Sequence, residues 1–200
     1  MLIAGQNKVA AQHELLSELD GKIGDGDHGT TMLRTTKVIV ESIEKNNDKP
    51  IKAILATLGW DIMSADGGSV GPLVGSMFLG FSEAMDDQEV LDAPLFIKMV
   101  CAGIEKMHKL SKAEIGDKTM MDALLPIKAS LEASGKLTCL VALTAVVVKA
   151  AQSGSDATVD MLAKYGRARN LGDKVIGHKD PGSVTIVLMF TGFAESIESI

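Results

Sequence analysis

Apolar residues recur at three- and four-residue intervals along most of this 200-residue chain, and turn-forming residues punctuate them. The pattern predicts helices over 8–19, 30–46, 51–64, 70–85, 93–109, 119–134, 137–165 (with a break near Gly154) and 182–198. No stretch alternates with period two, so strands are not expected. Eight helices joined by mostly short connections imply antiparallel neighbours in one all-α, up-and-down array, a single domain over 1–200.

The connections differ in chemistry. Those near 46–50, 86–92 and 134–136 are ordinary polar turns, and no internal repeat stands out. The other four are "DGKIGDGDHGT" (20–30), "ADGGSVGP" (65–72), "KAEIGDKT" (112–119) and "GRARNLGDKVIGHKDPG" (166–182). They precede helices two, four, six and eight, which all start at one end of an up-and-down array. Four helix N-termini therefore point their free amides at one rim, and each acts as about half a positive charge. Ser69 and Asp117 are placed to cap, and Asp180-Pro181 reads as an N-cap followed by an N1 proline. The convergence favours an anion.

Gly24, Gly26 and Gly29 satisfy the G-x-G-x-x-G spacing of dinucleotide-binding loops, but the flanking segments are helical and the strand of that fold is missing. Asp25 and Asp27 lie inside the loop, two residues apart and so facing one way if the loop is extended. Asp20 closes the cluster from the preceding helix. Carboxylates beside an anion site make sense with hard divalent cations between them and a polyphosphate, and Mg2+ favours such a mixed oxygen shell. An EF-hand is excluded because the twelfth position is Thr31 or Thr36, not Glu. Paired Cys/His spacing for zinc is absent. From this loop alone, turn-forming aspartates remain an alternative.

Composition narrows the partners. A formal net charge of −6 without a basic run argues against nucleic acid. The longest apolar run, 137–148, is too short for the roughly 20 residues that cross a bilayer, and the N-terminus lacks a signal-peptide pattern. Cys101 and Cys139 fall in apolar helical patterns and read as buried free thiols in a reducing compartment, so a cytoplasmic protein is expected. Lys118, Thr119 and Arg167 are candidate phosphate donors, with a solvated helix end as the plainer alternative for each. His28 and His178 read equally well as loop histidines. No residue stands out as a general base for an alcohol.

Together "LDGKIGDGDHGTTM", "GGSVGPLVGSMF", "GDKTMMDALLP" and "GRARNLGDKVIGHKDPGS" resemble the nucleotide-binding L subunit of the dihydroxyacetone kinases, over about residues 15–198. The resemblance implies an eight-helix antiparallel barrel with ADP or ATP and two Mg2+ ions at one end. It assigns the metals to Asp20, Asp25 and Asp27. It gives phosphate contacts to His28, Gly29, Thr30, Thr31, Gly68, Ser69 and Val70, and completes the nucleotide site with Ser111, Met120, Arg167 and Asp180-Pro181-Gly182. Asp20, Asp25, Asp27 and Arg167 would be the catalytic set.

In the family a separate K subunit holds the triose on a histidine, consistent with the missing base. In the phosphotransferase-system form a phosphohistidine-carrying M subunit recharges bound ADP, and the L subunit passes the phosphoryl group to the ketose. A homodimer and a transcription regulator are further partner candidates. The chain departs from the family pattern at Val70, where a hydroxyl is usual, and at Arg169-Asn170, where Ser-Tyr is usual. A four-carbon ketose such as erythrulose stays open as the acceptor, as does an ATP-dependent form. Two rival readings are a fatty-acid-kinase-like unit, which typically has Thr where His28 follows the second Asp, and a regulatory nucleotide-binding module.

Overall fold

A computed structural model describes residues 1–65, 68–86, 88–135 and 137–199. Among them are nine α-helices: α1 (Leu2–Ala11), α2 (His13–Ile23), α3 (His28–Lys45), α4 (Ile51–Ser64), α5 (Val70–Glu83), α6 (Ala93–Ser111), α7 (Met121–Ala133), α8 (Leu140–Ala157) and α9 (Pro181–Glu198). Short 3-10 segments follow α8, at Thr158–Asp160 and Ala168–Val175, and the described residues include no strand. The predicted turns 65–72, 86–92 and 134–136 each include residues outside the described set (66, 67, 87 and 136).

Each helix from α3 onward packs on its successor, and α9 returns against α1, closing a ring. Within it α4 and α5 run antiparallel. Ser82 donates to the Lys52 carbonyl at one end (2.9 Å), and Gly71 lies against the Ile62 carbonyl at the other. Every helix sends at least one aliphatic or Met side chain into one apolar core, including Val9, Leu16, Ile39, Leu58, Met77, Ile104, Leu124, Val147 and Ile186. Each such side chain contributes about 1.5–3 kcal/mol by burial.

Two predicted helices are corrected. The one expected over 8–19 starts at Leu2 and bends at Gln12, whose φ of −112° and ψ of 18° leave the helical basin. Its N–H still reaches the Val9 carbonyl (3.1 Å) and its carbonyl still takes the Leu16 N–H (3.0 Å), so the result is a kink. The array has nine α-helices where eight were expected because this one is counted twice. The helix expected over 137–165 stops at Ala157. Buried Thr158 turns its hydroxyl back onto the Ser155 carbonyl (2.6 Å) and gives its own carbonyl to Lys118, which diverts the chain. Gly154 is no break; a Cβ there would lie 1.9 Å from the Asp122 carbonyl oxygen, so it marks the close contact of α8 with α7.

A short repeat that periodicity did not reveal also emerges. "MFLGFSE" (77–83) in α5 matches "MFTGFAE" (189–195) in α9, and their partners α6 and α1 share Ala-Gly-x-x-Lys at 102–106 and 4–8. Gly80 crosses Gly103, and Gly192 crosses Gly5. Both cysteines are free, but only Cys101 is partly covered. Cys139 is exposed because it sits ahead of α8, outside the helix expected to bury it. No described helix is long and apolar enough to cross a membrane.

Candidate functional site

A cleft of about 830 Å³ opens at one end of the ring, where the loops before α3, α5, α7 and α9 meet. Asp20, Asp25, Asp27, His28 and Thr31 line it from the first loop, and Gly68, Ser69 and Val70 from the second. Ser111 and Met120 face it from the ends of α6 and α7, Arg167 from the segment after α8, and Asp180, Pro181 and Gly182 from the start of α9. Gly29 and Thr30 do not line it. Gly29 is packed against α2 and the Thr30 side chain is exposed, so their backbone N–H groups are all they can offer.

The acidic corner is built by glycine and by helix ends. Asp20 lies on the last turn of α2 and accepts the His28 N–H (3.2 Å). Gly24 ends that helix, and a Cβ there would lie 2.3 Å from Asp20 Oδ1, so the carboxylate needs glycine beside it. Asp27 occupies the N-cap position of α3 without a side-chain cap bond; its carbonyl takes the Thr31 N–H (2.9 Å) and its carboxylate stays free. One oxygen from each of Asp20, Asp25 and Asp27 falls within 4.8 Å of the others. Three hard oxygen donors at that spacing, partly exposed, suit Mg2+ with waters and phosphate oxygens filling its shell. The guanidinium of Arg167 pairs with Asp25.

The helix starts around the cleft are not equivalent. At α5, Gly68 takes a left-handed φ of 59° and Ser69 makes no side-chain cap bond, so among the described residues no side chain caps the first amides, an arrangement that can receive an anion. At α9 the Asp180 carboxylate accepts the Ser183 N–H (2.6 Å), with Pro181 at the first helical position, as expected. Asp180 donates its own N–H to Thr158 Oγ1 (3.0 Å). Burial, chiefly, raises its carboxyl to about 7.

At α7 the expected cap, Asp117, does not serve. It accepts the Glu114 N–H (2.8 Å) and pairs with Lys164, while Asp122 takes the N–H groups of Thr119 (2.7 Å) and Gly116 (2.6 Å). Asp122 reaches them because it lies in the first turn of α7, whereas Asp117 sits between the loop's left-handed residues Gly116 and Lys118, before the helix begins.

Lys118 is also reassigned. It is 2% exposed, and its ammonium donates to the carbonyls of Thr158 and His178, tying the segment after α8 to the loop before α7. Burial lowers its pKa, opposed by Asp180, Asp122 and Asp160. With two of its three N–H donors engaged on these carbonyls, it acts as a staple. His28 points inward: Thr185 donates its hydroxyl to the Pro181 carbonyl (3.1 Å), so His28 Nε2 carries the proton it shares with Thr185 Oγ1 (2.8 Å). Burial holds its pKa below the usual value against the pull of Asp20. Sequence reasoning missed Arg34 and Tyr165, which also line the cleft. Arg34 stands one turn after Thr31 on α3 and donates to its hydroxyl (3.3 Å), a spacing that could have found it.

The DAK2 domain model matches residues 22–195. The ADP-binding subunit DhaL of the PEP-dependent dihydroxyacetone kinase of Escherichia coli (strain K12) is 37% identical over 182 residues, covering 90% of this chain and 86% of that protein. The ADP-binding subunit DhaL of the PTS-dependent dihydroxyacetone kinase of Lactococcus lactis subsp. lactis (strain IL1403) is 34% identical over 190 residues, covering 95% and 91%. Among solved structures, the dihydroxyacetone kinase from C. freundii in complex with AMP-PNP and Mg2+ is similar with a TM-score of 0.74 at 26% identity. That likeness covers 98% of this chain and 33% of the other, so this chain spans about a third of that longer protein. The chain belongs to the DAK2-domain family and, within it, to the DhaL-type subunits of the dihydroxyacetone kinases.

Proposed function

We propose that this chain is the nucleotide-carrying subunit of a phosphotransferase. It holds ADP or ATP with two Mg2+ ions and passes a phosphoryl group to dihydroxyacetone or a related small ketose. The donor is a phosphohistidine on an M subunit, and a K subunit presents the ketose. The observation that carries this reading is the juxtaposition, in one cleft, of three carboxylates within 4.8 Å and the start of α5, whose amides no side chain caps among the described residues. The closed ring of helices supports the family's antiparallel barrel, with the kinked α1–α2 pair as one stave.

Bound Mg2+ would neutralise the polyphosphate and bridge its oxygens. The chain's own groups do the positioning. Asp20, Asp25 and Asp27 hold the cations, and the amides at the starts of α3 and α5 receive phosphate oxygens, those of Gly29, Thr30 and Val70 included. Val70 has no hydroxyl, so only its backbone serves. A cation at Asp25 would compete with Arg167 for its carboxylate. Once the carboxylate is taken, the guanidinium fork is free to turn to phosphate. His28 is neutral, buried and bonded to Thr185, so it takes no proton from an alcohol; activation of the ketose falls to the K subunit.

Asp25→Ala is expected to abolish Mg2+-dependent retention of ADP, read by mass spectrometry of the denatured protein, while the helical circular dichroism persists. Retention equal to wild type would remove the metal assignment. Phosphoryl transfer to a ketose with purified K and M subunits then separates a catalytic subunit from a regulatory module.

A further inference from the structure

Leu110, Ala113, Met120 and the ring of Tyr165 give the cleft an apolar part to its lining. Tyr165 is the chain's only tyrosine and, among the described residues, the only Phe, Tyr or Trp lining the cleft. It lies two residues before Arg167, on the segment that Lys118 staples to the rim. Its hydroxyl donates to the Lys112 carbonyl (3.1 Å), which places the ring beside Ser111 and Ala113 and fixes its tilt. The polar tip is thus satisfied, yet the residue remains 43% exposed. A half-exposed aromatic ring anchored at its tip, in a cleft that Leu110, Ala113 and Met120 also line, suits a flat heteroaromatic group. A small ketose has no such face and needs polar partners along its length. A nucleobase fits this part of the lining, and its diphosphate then reaches toward the acidic corner.

We infer that Tyr165 is the base-stacking residue of this cleft, packing its face on the nucleobase, a purine in preference to a pyrimidine because the larger ring covers more of it. The inference rests on the nucleotide-binding reading above and assigns one residue within it.

The test compares Mg2+-ADP with Mg2+-pyrophosphate, which keeps the phosphates and lacks the base, by calorimetry on the full chain. Tyr165→Ala is expected to weaken ADP binding about 10- to 100-fold, the range of one base–aromatic stack, and to leave pyrophosphate unchanged. Tyr165→Phe keeps ADP binding within a few-fold, since the ring face remains. In a Trp60→Phe background the single tyrosine reports directly, and ADP but not pyrophosphate quenches its emission. Equal losses for ADP and pyrophosphate in Tyr165→Ala would show a merely structural role and overturn the assignment, as would unchanged ADP binding without quenching. If wild-type protein binds neither ligand, the nucleotide reading itself fails and the assignment falls with it. If it binds both and the alanine variant does too, only the stacking role is refuted.

Discussion

From Met77 and Met189 onward, α5 and α9 carry almost the same seven residues and pack almost alike. Phe78 and Phe81 meet edge to face at 5.4 Å in one, Phe190 and Phe193 at 5.3 Å in the other. Ahead of that shared body the two helices diverge. α5 begins at an exposed Gly-Ser where Ser69 makes no side-chain cap bond, whereas α9 begins under Asp180, with Ser183 bonded to Ser155 (2.9 Å) and Thr185 to His28. The far ends answer a steric demand that has few solutions, so they match. The rim ends differ: Ser69 leaves its helix start without a side-chain cap, and Asp180 closes the other. Treating every helix start at the rim as an equal donor of free amides therefore overstates the site, because at α9 Pro181 has no N–H and the capping carboxylate takes that of Ser183.

The comparison breaks most severely if the crossings are not equivalent. A Cβ on Gly80 would stand 2.6 Å from the Gly103 Cα, and one on Gly192 2.7 Å from both the Gly5 Cα and the Ala4 carbonyl oxygen. These obstacles are backbone and cannot rotate away. Gly80→Val and Gly192→Val are each expected to cost about 3 kcal/mol or more in urea unfolding, although either change relieves glycine's own helix penalty. A well-tolerated variant at one site, with a severe one at the other, would reduce the repeat to a coincidence of sequence.

The rim ends are separated by a smaller effect. Asp180→Ala removes a cap and is expected to cost about 1–2 kcal/mol at pH 4, where ionisation of the buried carboxyl adds no penalty, whereas Ser69→Ala, which breaks no cap bond, should fall within about 0.5 kcal/mol. Asp180 adds a pH signature that α5 lacks. Its carboxyl titrates at about 7 in the folded chain against 3.8 unfolded, chiefly through burial, with Asp122 and Asp20 acting in the same direction and Ser183 N–H and Lys118 opposing. Between those values the folded protein keeps a proton that the unfolded chain has released. This group's contribution to stability therefore falls as pH rises from about 4 to about 7 and then levels. Unfolding of metal-free protein across that window should show a slope that Asp180→Asn, which still caps, flattens. An unchanged slope in that variant would place the carboxyl in water.

Much of this arrangement is legible in the chain. The helix over 51–64 matches α4 because Pro50 starts it, and Asp180-Pro181 announces α9. The four unusual loops reach one cleft because the extra helix is a kink: they precede α3, α5, α7 and α9, which preserves their alternation. What stays illegible depends on partners distant in sequence. Gln12 is a good helix former, so nothing local marks the bend. Lys118 looks like a phosphate ligand until the carbonyls of Thr158 and His178 are brought to it. Asp122 sits inside a helical pattern, and its role at the start of α7 shows only when the loop folds back. The glycine crossings pair positions 23 and 187 residues apart, beyond any periodicity test.

The finest test of equivalence lies just outside the crossings. Counting three residues on from each glycine gives Glu83 and Lys106 at one crossing, Glu195 and Lys8 at the other, and both pairs form ion pairs, the first at 2.5 Å. Their exposures are alike, 35% and 63% for Lys106 and Glu83 against 32% and 56% for Lys8 and Glu195. Similar geometry in similar solvent should give similar coupling, and solvent keeps it small. Double-mutant cycles to alanine are expected to return less than about 1 kcal/mol for each pair. Both should fade together in 1 M salt, where screening acts within about 3 Å. Because the glycine contact sets the register of each pair, Gly80→Val should abolish the Lys106–Glu83 coupling and leave Lys8–Glu195 intact. Survival of the first coupling in that variant would show that the crossing does not position the charges, and the two halves would then agree in sequence without sharing a mechanical cause.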